Sequence, residues 1–235
     1  MNSQCQGTRD FAATLMEYGV FFKDLHLLEK ALTHPTYAYE QGLEESNQRL
    51  EFLGDSVLSI IIVDYLYRNY PEKQEGELSK LKSSVVSGET LAKGARALRM
   101  YDYLLIGKGE DKLGGRYRDS VLGDAFEALL AAIYLELGLD EVRKFLYQIL
   151  LPHLEEIVKH GVQDYKTILQ ELLQKEYKKS VTYKVLEELG PDHDKYFKVG
   201  LLWDDEIIAI GLGKSKKEAE RQGAKLAVEY FTQKG

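Results

Sequence analysis

Between about residues 10 and 160 the apolar residues recur at intervals of three and four, the spacing of one face of an α-helix. Pro71, Gly88, Gly114–Gly115 and Gly138 punctuate that pattern as helix stops. The spacing predicts an all-helical region. GVQDYKT follows, where Gly161 suits a helix C-terminal cap and Asp164 the N-cap of a new helix, so a boundary is expected at 161–163. Beyond it the period changes. TILQELLQKEY keeps helical spacing, then VTYKVLEEL alternates, with Val181, Tyr183 and Val185 on one face of a half-buried strand. YFKVGLLW and DEIIAIGLG read as two further strands joined by a tight turn at Asp204–Asp205, and SKKEAERQGAKLAVEYF returns to helix. The expected fold is multidomain: an all-α domain over 1–160, a linker at 161–163, and a small α+β domain over 164–235. The order α-β-β-β-α in the latter requires both helices to pack on the sheet.

Two of the predicted helices carry acids where apolar residues are expected. In NQRLEFLGDSVL, residues 47–58, Glu51 and Asp55 lie one turn apart, and at 100° per residue their stripe continues through Leu58 and Ile62. In SVLGDAFEALLAAIYLELG, residues 120–138, Asp124 and Glu127 lie three apart on a stripe that continues through Ala128, Ala131, Tyr134 and Leu135. The second helix is apolar nearly all round, which marks it as central. Carboxylates at the edge of such a core cost several kcal/mol (order of magnitude) unless a cation compensates them, and no Lys or Arg stands one turn away on either stripe. Four oxygen donors without His or Cys point to a hard divalent cation such as Mg²⁺ rather than zinc. A carboxylate-held Mg²⁺ beside a phosphodiester is the chemistry of nucleases and polymerases.

Composition narrows the setting. With 44% hydrophobic residues in 235, the chain can bury a real core, and its formal charge of -7 confines any polyanion site to a local patch. The single Cys5 excludes an internal disulfide framework and a thiolate zinc cluster, and fits a reducing compartment. The polar start MNSQCQGTRD and the short, interrupted apolar run SIIIVDYL lead to the expectation of a soluble, cytoplasmic protein with no membrane association.

NQRLEFLGDSVL, followed downstream by LGDAFEALLAAIYLE, resembles the two signature helices of the bacterial ribonuclease III family, endonucleases that cut double-stranded RNA. ALTHPTY at 31–37, PEKQEGELSKLKS at 71–83 and the α-β-β-β-α segment extend the resemblance over essentially the whole chain. It implies that Glu51, Asp124 and Glu127 ligate Mg²⁺, with Mn²⁺ able to substitute, and that Asp55 and Glu127 are indispensable for the chemistry. It implies attack of a metal-activated water in line on phosphorus, leaving 5′-phosphate and 3′-hydroxyl ends with short 3′ overhangs. It also implies a homodimer with one catalytic centre per subunit, no organic cofactor, and substrates among ribosomal RNA precursors and structured messenger RNAs. In the family the aromatic at Phe52 enters a pocket on the partner, and the acid at Glu75 reaches toward the partner's site. Where several members read Asn-Glu-Arg this chain has Asn47-Gln48-Arg49, so Gln48 is expected to alter an RNA contact while the four acids keep the chemistry. His34 in ALTHPTY, beside a proline, reads as structural rather than as a general base.

The C-terminal segment resembles a double-stranded RNA-binding domain, a module that reads duplex shape, 2′-hydroxyls and phosphates. That resemblance places Thr167, Gln170 and His193 at the minor grooves. Ser215 with Glu218 forms a capping box that starts a helix at Lys216. Lys214, Lys216 and Lys217 then crowd the positive end of a helix dipole, an arrangement that suits a visiting phosphate. Residues 164–235 carry 13 basic and 13 acidic residues, so binding is expected to be moderate and salt-sensitive, and Glu220 stands where many such domains have a lysine. Two rivals remain open at this point: a non-catalytic double-stranded RNA-binding protein, and a carboxylate-metal phosphohydrolase of small molecules.

Overall fold

The structure, a computed structural model, describes residues 3–160, 165–178, 180–189, 195–203, 206–213 and 215–232. It divides into two compact units, Met1–Val162 and Gln163–Gly235. The first unit is helical: α1 Ser3–Met16, α2 Leu25–Leu32, α3 Pro35–Gln41, α4 Gln48–Asn69, α5 Glu75–Val85, α6 Gly88–Ala97, α7 Lys108–Lys112, α8 Asp119–Leu137 and α9 Leu139–His160. Helix formation begins earlier than the spacing predicted, at Ser3. The Gly88 region separates two helices as expected, the break lying at Val86–Ser87; Gly88 itself opens α6, with Ser87 capping the helix through its hydroxyl at 3.3 Å from the Thr90 amide. Gly114 and Gly138 do interrupt helices, with φ of 74° and 86° that a side chain would resist.

The core forms around α8. Eleven of its 19 residues are buried, among them Phe126, Leu129, Leu130 and Ile133, which is why its sequence is apolar on every face. α4, α6 and α9 pack around it, and Phe126 stacks on Phe145 of α9 with ring centroids 6.3 Å apart. Leu50, Val57, Leu58, Ile61, Ile62 and Leu66 bury one side of α4. The segment leading into α8 is pinned by arginines. Arg116 bonds the Asp111 carboxylate at 2.5 and 2.9 Å and the Tyr101 carbonyl at 2.6 Å, while Arg96 reaches the Tyr117 carbonyl at 2.8 Å.

The second unit contains α10 Tyr165–Tyr177, β1 Thr182–Leu189, β2 Tyr196–Trp203, β3 Glu206–Gly213 and α11 Lys216–Thr232. The strands form an antiparallel sheet in the order β1-β2-β3. Tyr183 and Val185 lie half-buried on one face as their alternation predicted, and a bulge between Val185 and Glu187 resets the register of β1. Leu169 and Leu173 of α10, Leu201 of β2, and Ala224 and Ala227 of α11 form the core, with Trp203 edge-on to Phe231 at 5.4 Å. Gly211 lets α11 lie against the sheet, because a Cβ there would overlap the backbone of Ala219. The expected caps at Gly161 and Asp164, the 161–163 linker and the Asp204–Asp205 turn lie outside the described residues.

Candidate metal centre

The first turns of α4 are set by a backbone relay. The Asn47 amide donates to the Thr33 carbonyl at 2.8 Å, and the Glu51 amide donates to the Asn47 carbonyl at 2.8 Å. This relay ties the acid-bearing end of α4 to the α2–α3 junction. Gly54 sits one turn on, between Glu51 and Asp55, and a Cβ there would overlap the Glu127 carbonyl. The absence of a side chain lets α4 and α8 touch backbone to backbone, in the most extensive helix–helix contact among the described residues. Gly54 was not singled out in the sequence, although a glycine between two acids on an otherwise apolar helix is the signal that could have found it.

The close approach gathers acids from both helices. Glu51, Asp124 and Glu127 each place a carboxylate oxygen within 4.8 Å of the others, and all three are half-buried. Burial and its neighbours push Glu127 up to about 7: desolvation is the largest cause, followed by Asp55, Asp124 and Glu51. Desolvation, then Asp124, raises Glu51, and desolvation raises Asp124 against an opposing pull from His34. Every charged group acting on Glu127 is another acid. Asp55 is exposed, one turn from Glu51, and its charge reaches Glu127 without making it a fourth member of the triad. A half-buried trio of carboxylate oxygens, with no Lys or Arg among the described residues acting on it and only His34 pulling on Asp124, matches the donor chemistry of Mg²⁺ or Mn²⁺.

The remaining candidates are dispersed. Gln48 is exposed on the first residue of α4. Phe52 is 80% exposed, and it heads an apolar stripe that continues along the same side of α4 through Ile60, Val63 and Tyr67. Those three residues were not recognised in the sequence. Glu75 is exposed at the start of α5, its Oε1 accepting from the Ser79 hydroxyl at 2.7 Å.

On the second unit, Thr167 and Gln170 are exposed three residues apart on α10, whose Leu169 and Leu173 are buried. Lys216 and Lys217 are exposed in the first turn of α11, where the Ser215 hydroxyl accepts the Glu218 amide at 3.1 Å. Lys216 Nζ lies 3.5 Å from Glu188 and 5.5 Å over the Phe197 ring. Glu220 forms an ion pair with Lys166, which also sits 4.5 Å over Tyr183. The acid therefore ties α11 to α10 where the sequence comparison expected a cation. His193 and Lys214 lie outside the described residues.

The same two units appear in the comparisons with known proteins. A family model described as Ribonuclease-III-like matches residues 24–154, and one for the double-stranded RNA binding motif matches 165–231. Ribonuclease 3 of Streptococcus equi subsp. zooepidemicus is 46% identical over 218 residues, spanning 92% of this chain and 95% of the relative. Ribonuclease 3 of Lactococcus lactis subsp. cremoris is 46% identical over 215 residues, spanning 91% and 93%. Among solved structures, the nuclease domain of ribonuclease III from Campylobacter jejuni, described for flexibility in a region involved in that protein's dimer formation, superposes with a TM-score of 0.56. It is 34% identical, over 59% of this chain and 94% of that one.

Proposed function

The chain belongs to the ribonuclease III family of endoribonucleases, and from that premise we propose that Glu51, Asp124 and Glu127 hold Mg²⁺, or Mn²⁺ in its place, to cut double-stranded RNA. The observation that carries this reading is the meeting of three half-buried carboxylate oxygens within 4.8 Å at the α4–α8 contact. When bound, a divalent ion supplies a nucleophile from water at neutral pH and neutralises charge on the reacting phosphate. The chain's own residues do the rest. Glu51 and Asp124 fix the cation from two different helices, and the Gly54 contact fixes their separation. Asp55 and Glu127 face the same reaction space from opposite helices, where they orient the attacking water and accept its proton. A water oxygen–phosphorus bond forms and the bond from phosphorus to the 3′ oxygen breaks. The 3′ oxygen takes a proton, which leaves a 3′-hydroxyl and a 5′-phosphate.

Duplex length and shape are read elsewhere on the chain. Thr167 and Gln170 on α10, with His193, address minor grooves, and Lys214, Lys216 and Lys217 address phosphates at the start of α11; Gln48 contacts RNA beside the centre. The domains are assigned as 1–160 and 164–235 with a linker at 161–163. The exposed α4 stripe headed by Phe52 forms the surface for a second copy, and Glu75 faces that copy. Two centres on one duplex cut opposite strands and leave short 3′ overhangs. No described helix is long and apolar enough to cross a membrane, and the proposed setting is the cytoplasm, with ribosomal RNA precursors and structured messenger RNAs as substrates.

Incubating purified protein with a long RNA duplex, with and without Mg²⁺, beside single-stranded RNA and duplex DNA, tests the proposal. Only the RNA duplex in Mg²⁺ is expected to be cut, to products carrying 5′-phosphates. Duplex RNA that is bound yet survives in Mg²⁺ would establish the rival, a non-catalytic RNA-binding protein.

A further inference from the structure

Lys166 and Glu220 meet where two recognition surfaces of the second unit adjoin. On α10, Lys166 and Gln170 are four residues apart, about one turn, and so share a stripe of the helix. On α11, Lys216 and Glu220 stand in the same relation, so the acid continues the stripe that begins at the lysine-rich start of that helix. An ion pair therefore joins the stripe that addresses grooves to the stripe that addresses phosphates, and its side chains are 37% and 26% exposed. Lys166 is held from a second side by the Tyr183 ring of β1, 4.5 Å from Nζ, so the ammonium is fixed between a carboxylate and an aromatic face. A cation so placed is committed within the protein rather than offered to a phosphate.

Other described contacts between the two helices have less direction. Leu169 and Leu173 of α10 share a core with Ala224 and Ala227 of α11, whose short side chains key one helix only weakly against the other. Lys225 Nζ lies 6.0 Å from the Tyr165 ring, at the outer reach of such an attraction. The hydrogen-bonded ion pair adds a point of registration. Registration matters because a double-stranded RNA-binding module spans minor grooves and the phosphates across the intervening major groove. That major groove is deep and narrow in an A-form duplex and wide in B-form DNA, so the separation between groove and phosphates differs between the two.

We propose that the Lys166–Glu220 pair is a specificity-determining clamp, which fixes the offset between the α10 and α11 stripes at the value an A-form duplex presents and so sharpens the preference for duplex RNA over duplex DNA. The inference rests on the reading above in which Thr167, Gln170, Lys216 and Lys217 address RNA. Lys166 and Glu220 act through those contacts and are positioning residues. The clamp also accounts for an acid one turn beyond Lys216, where an unpaired carboxylate would repel the polyanion.

Binding of the full-length protein to an RNA duplex and to a DNA duplex of equal length, in EDTA so that neither is cut and at one fixed salt concentration, tests the clamp, with thermal unfolding measured alongside. Glu220→Gln and Lys166→Met each break the pair while changing the net charge in opposite directions, and methionine keeps an apolar stem over Tyr183. Both are expected to lower the ratio of RNA to DNA affinity roughly fivefold, within the range that coupled residues show, and the double variant is expected to lower it no further. Lys166→Arg keeps the cation and the ring contact and is expected to retain the wild-type ratio. An unchanged ratio, with both duplexes bound more tightly by Glu220→Gln and more weakly by Lys166→Met, would show that the pair acts through net charge alone and overturn the inference. A ratio that follows the unfolding temperature across the variants would make the pair a staple of the fold and overturn it too, as would Lys166→Arg behaving like Lys166→Met. Wild-type protein that binds both duplexes alike would overturn the reading of α10 and α11 as the duplex RNA surface, and this inference with it.

Discussion

Glu127 is displaced further than Glu51 or Asp124, and the direction of that shift bears on stability. Its carboxyl is pushed from the ordinary 4.5 to about 7 by burial and by three acidic neighbours, so the folded, metal-free protein favours the protonated form below about pH 7. A group whose folded pKa is raised contributes stability that is fully present below 4.5 and lost as pH rises through about 7. Burial moves Glu51 and Asp124 the same way. Thermal unfolding in EDTA should therefore occur at lower temperature at pH 8 than at pH 5.5, by roughly a few degrees. Mg²⁺ should restore most of the difference at pH 8 and little at pH 5.5, where protons compete for the same oxygens. Glu127→Gln should flatten the EDTA profile while retaining duplex binding, and should cut at least about 10²-fold more slowly, a loss typical of removing one group that stabilises charge in the transition state. An unchanged pH profile in that variant would remove Glu127 as the source of the effect.

Among the elements, α4 and α8 show what a sequence discloses and what it withholds. The acids at i and i+4 of one helix and i and i+3 of the other were legible, because on-helix spacing alone places them on stripes that continue as apolar faces. The switch from period 3.6 to period 2 after Tyr177 likewise disclosed the sheet and its flanking helices. Which three of the four acids meet was not legible in the spacing, and only the family resemblance implied Glu51, Asp124 and Glu127, since the meeting depends on how closely two helices approach, and that is set by Gly54 against Glu127. Nor was the second face of α4. Ile60, Val63 and Tyr67 are as apolar as the core residues between them, and spacing cannot separate a buried stripe from an exposed one on a helix that is apolar on two sides. Gly54→Ala tests the close approach with an unambiguous sign. On an open helix face the substitution would stabilise by up to about 1 kcal/mol through helix propensity. Here the new Cβ meets backbone that cannot turn aside, so a loss of about 1–3 kcal/mol or more is expected, read as a lower urea midpoint. Mn²⁺ affinity should fall with it, because Glu51 rides on the helix that is pushed away. A variant as stable as wild type would show that the contact is not close.

For the whole molecule, charge and exposed surface point to assembly as the source of duplex cutting. The segment after residue 163 is electrically balanced and the -7 lies in the helical part, so a single RNA-binding module is expected to make few phosphate contacts and to bind with modest affinity. Two copies joined through their helical parts would engage one duplex with two such modules, and the second engagement would be intramolecular. The surface available for joining is the α4 stripe, where Phe52 is 80%, Tyr67 74%, Ile60 53% and Val63 44% exposed. Rows of large apolar side chains on one helix face are uncommon on a monomer's surface and mark an interface. Phe52 is expected to be the anchor because it is the most exposed of the four and sits one residue from Glu51, so association and the metal centre would share a helical turn. Phe52→Ala should raise the dimer dissociation constant by about 30-fold or more, the effect of removing an aromatic anchor of about 2 kcal/mol, as read by sedimentation velocity across a dilution series. Mn²⁺ affinity per protomer should stay at the wild-type value, since Phe52 lies about 100° round the helix from Glu51 and is not one of the three clustered acids. At concentrations where the variant is monomeric, cleavage of one strand at a time should replace paired cuts. A dimer of unchanged strength would exclude Phe52 as the anchor, and paired cuts by a proven monomer would remove assembly from the account of how both strands are cut.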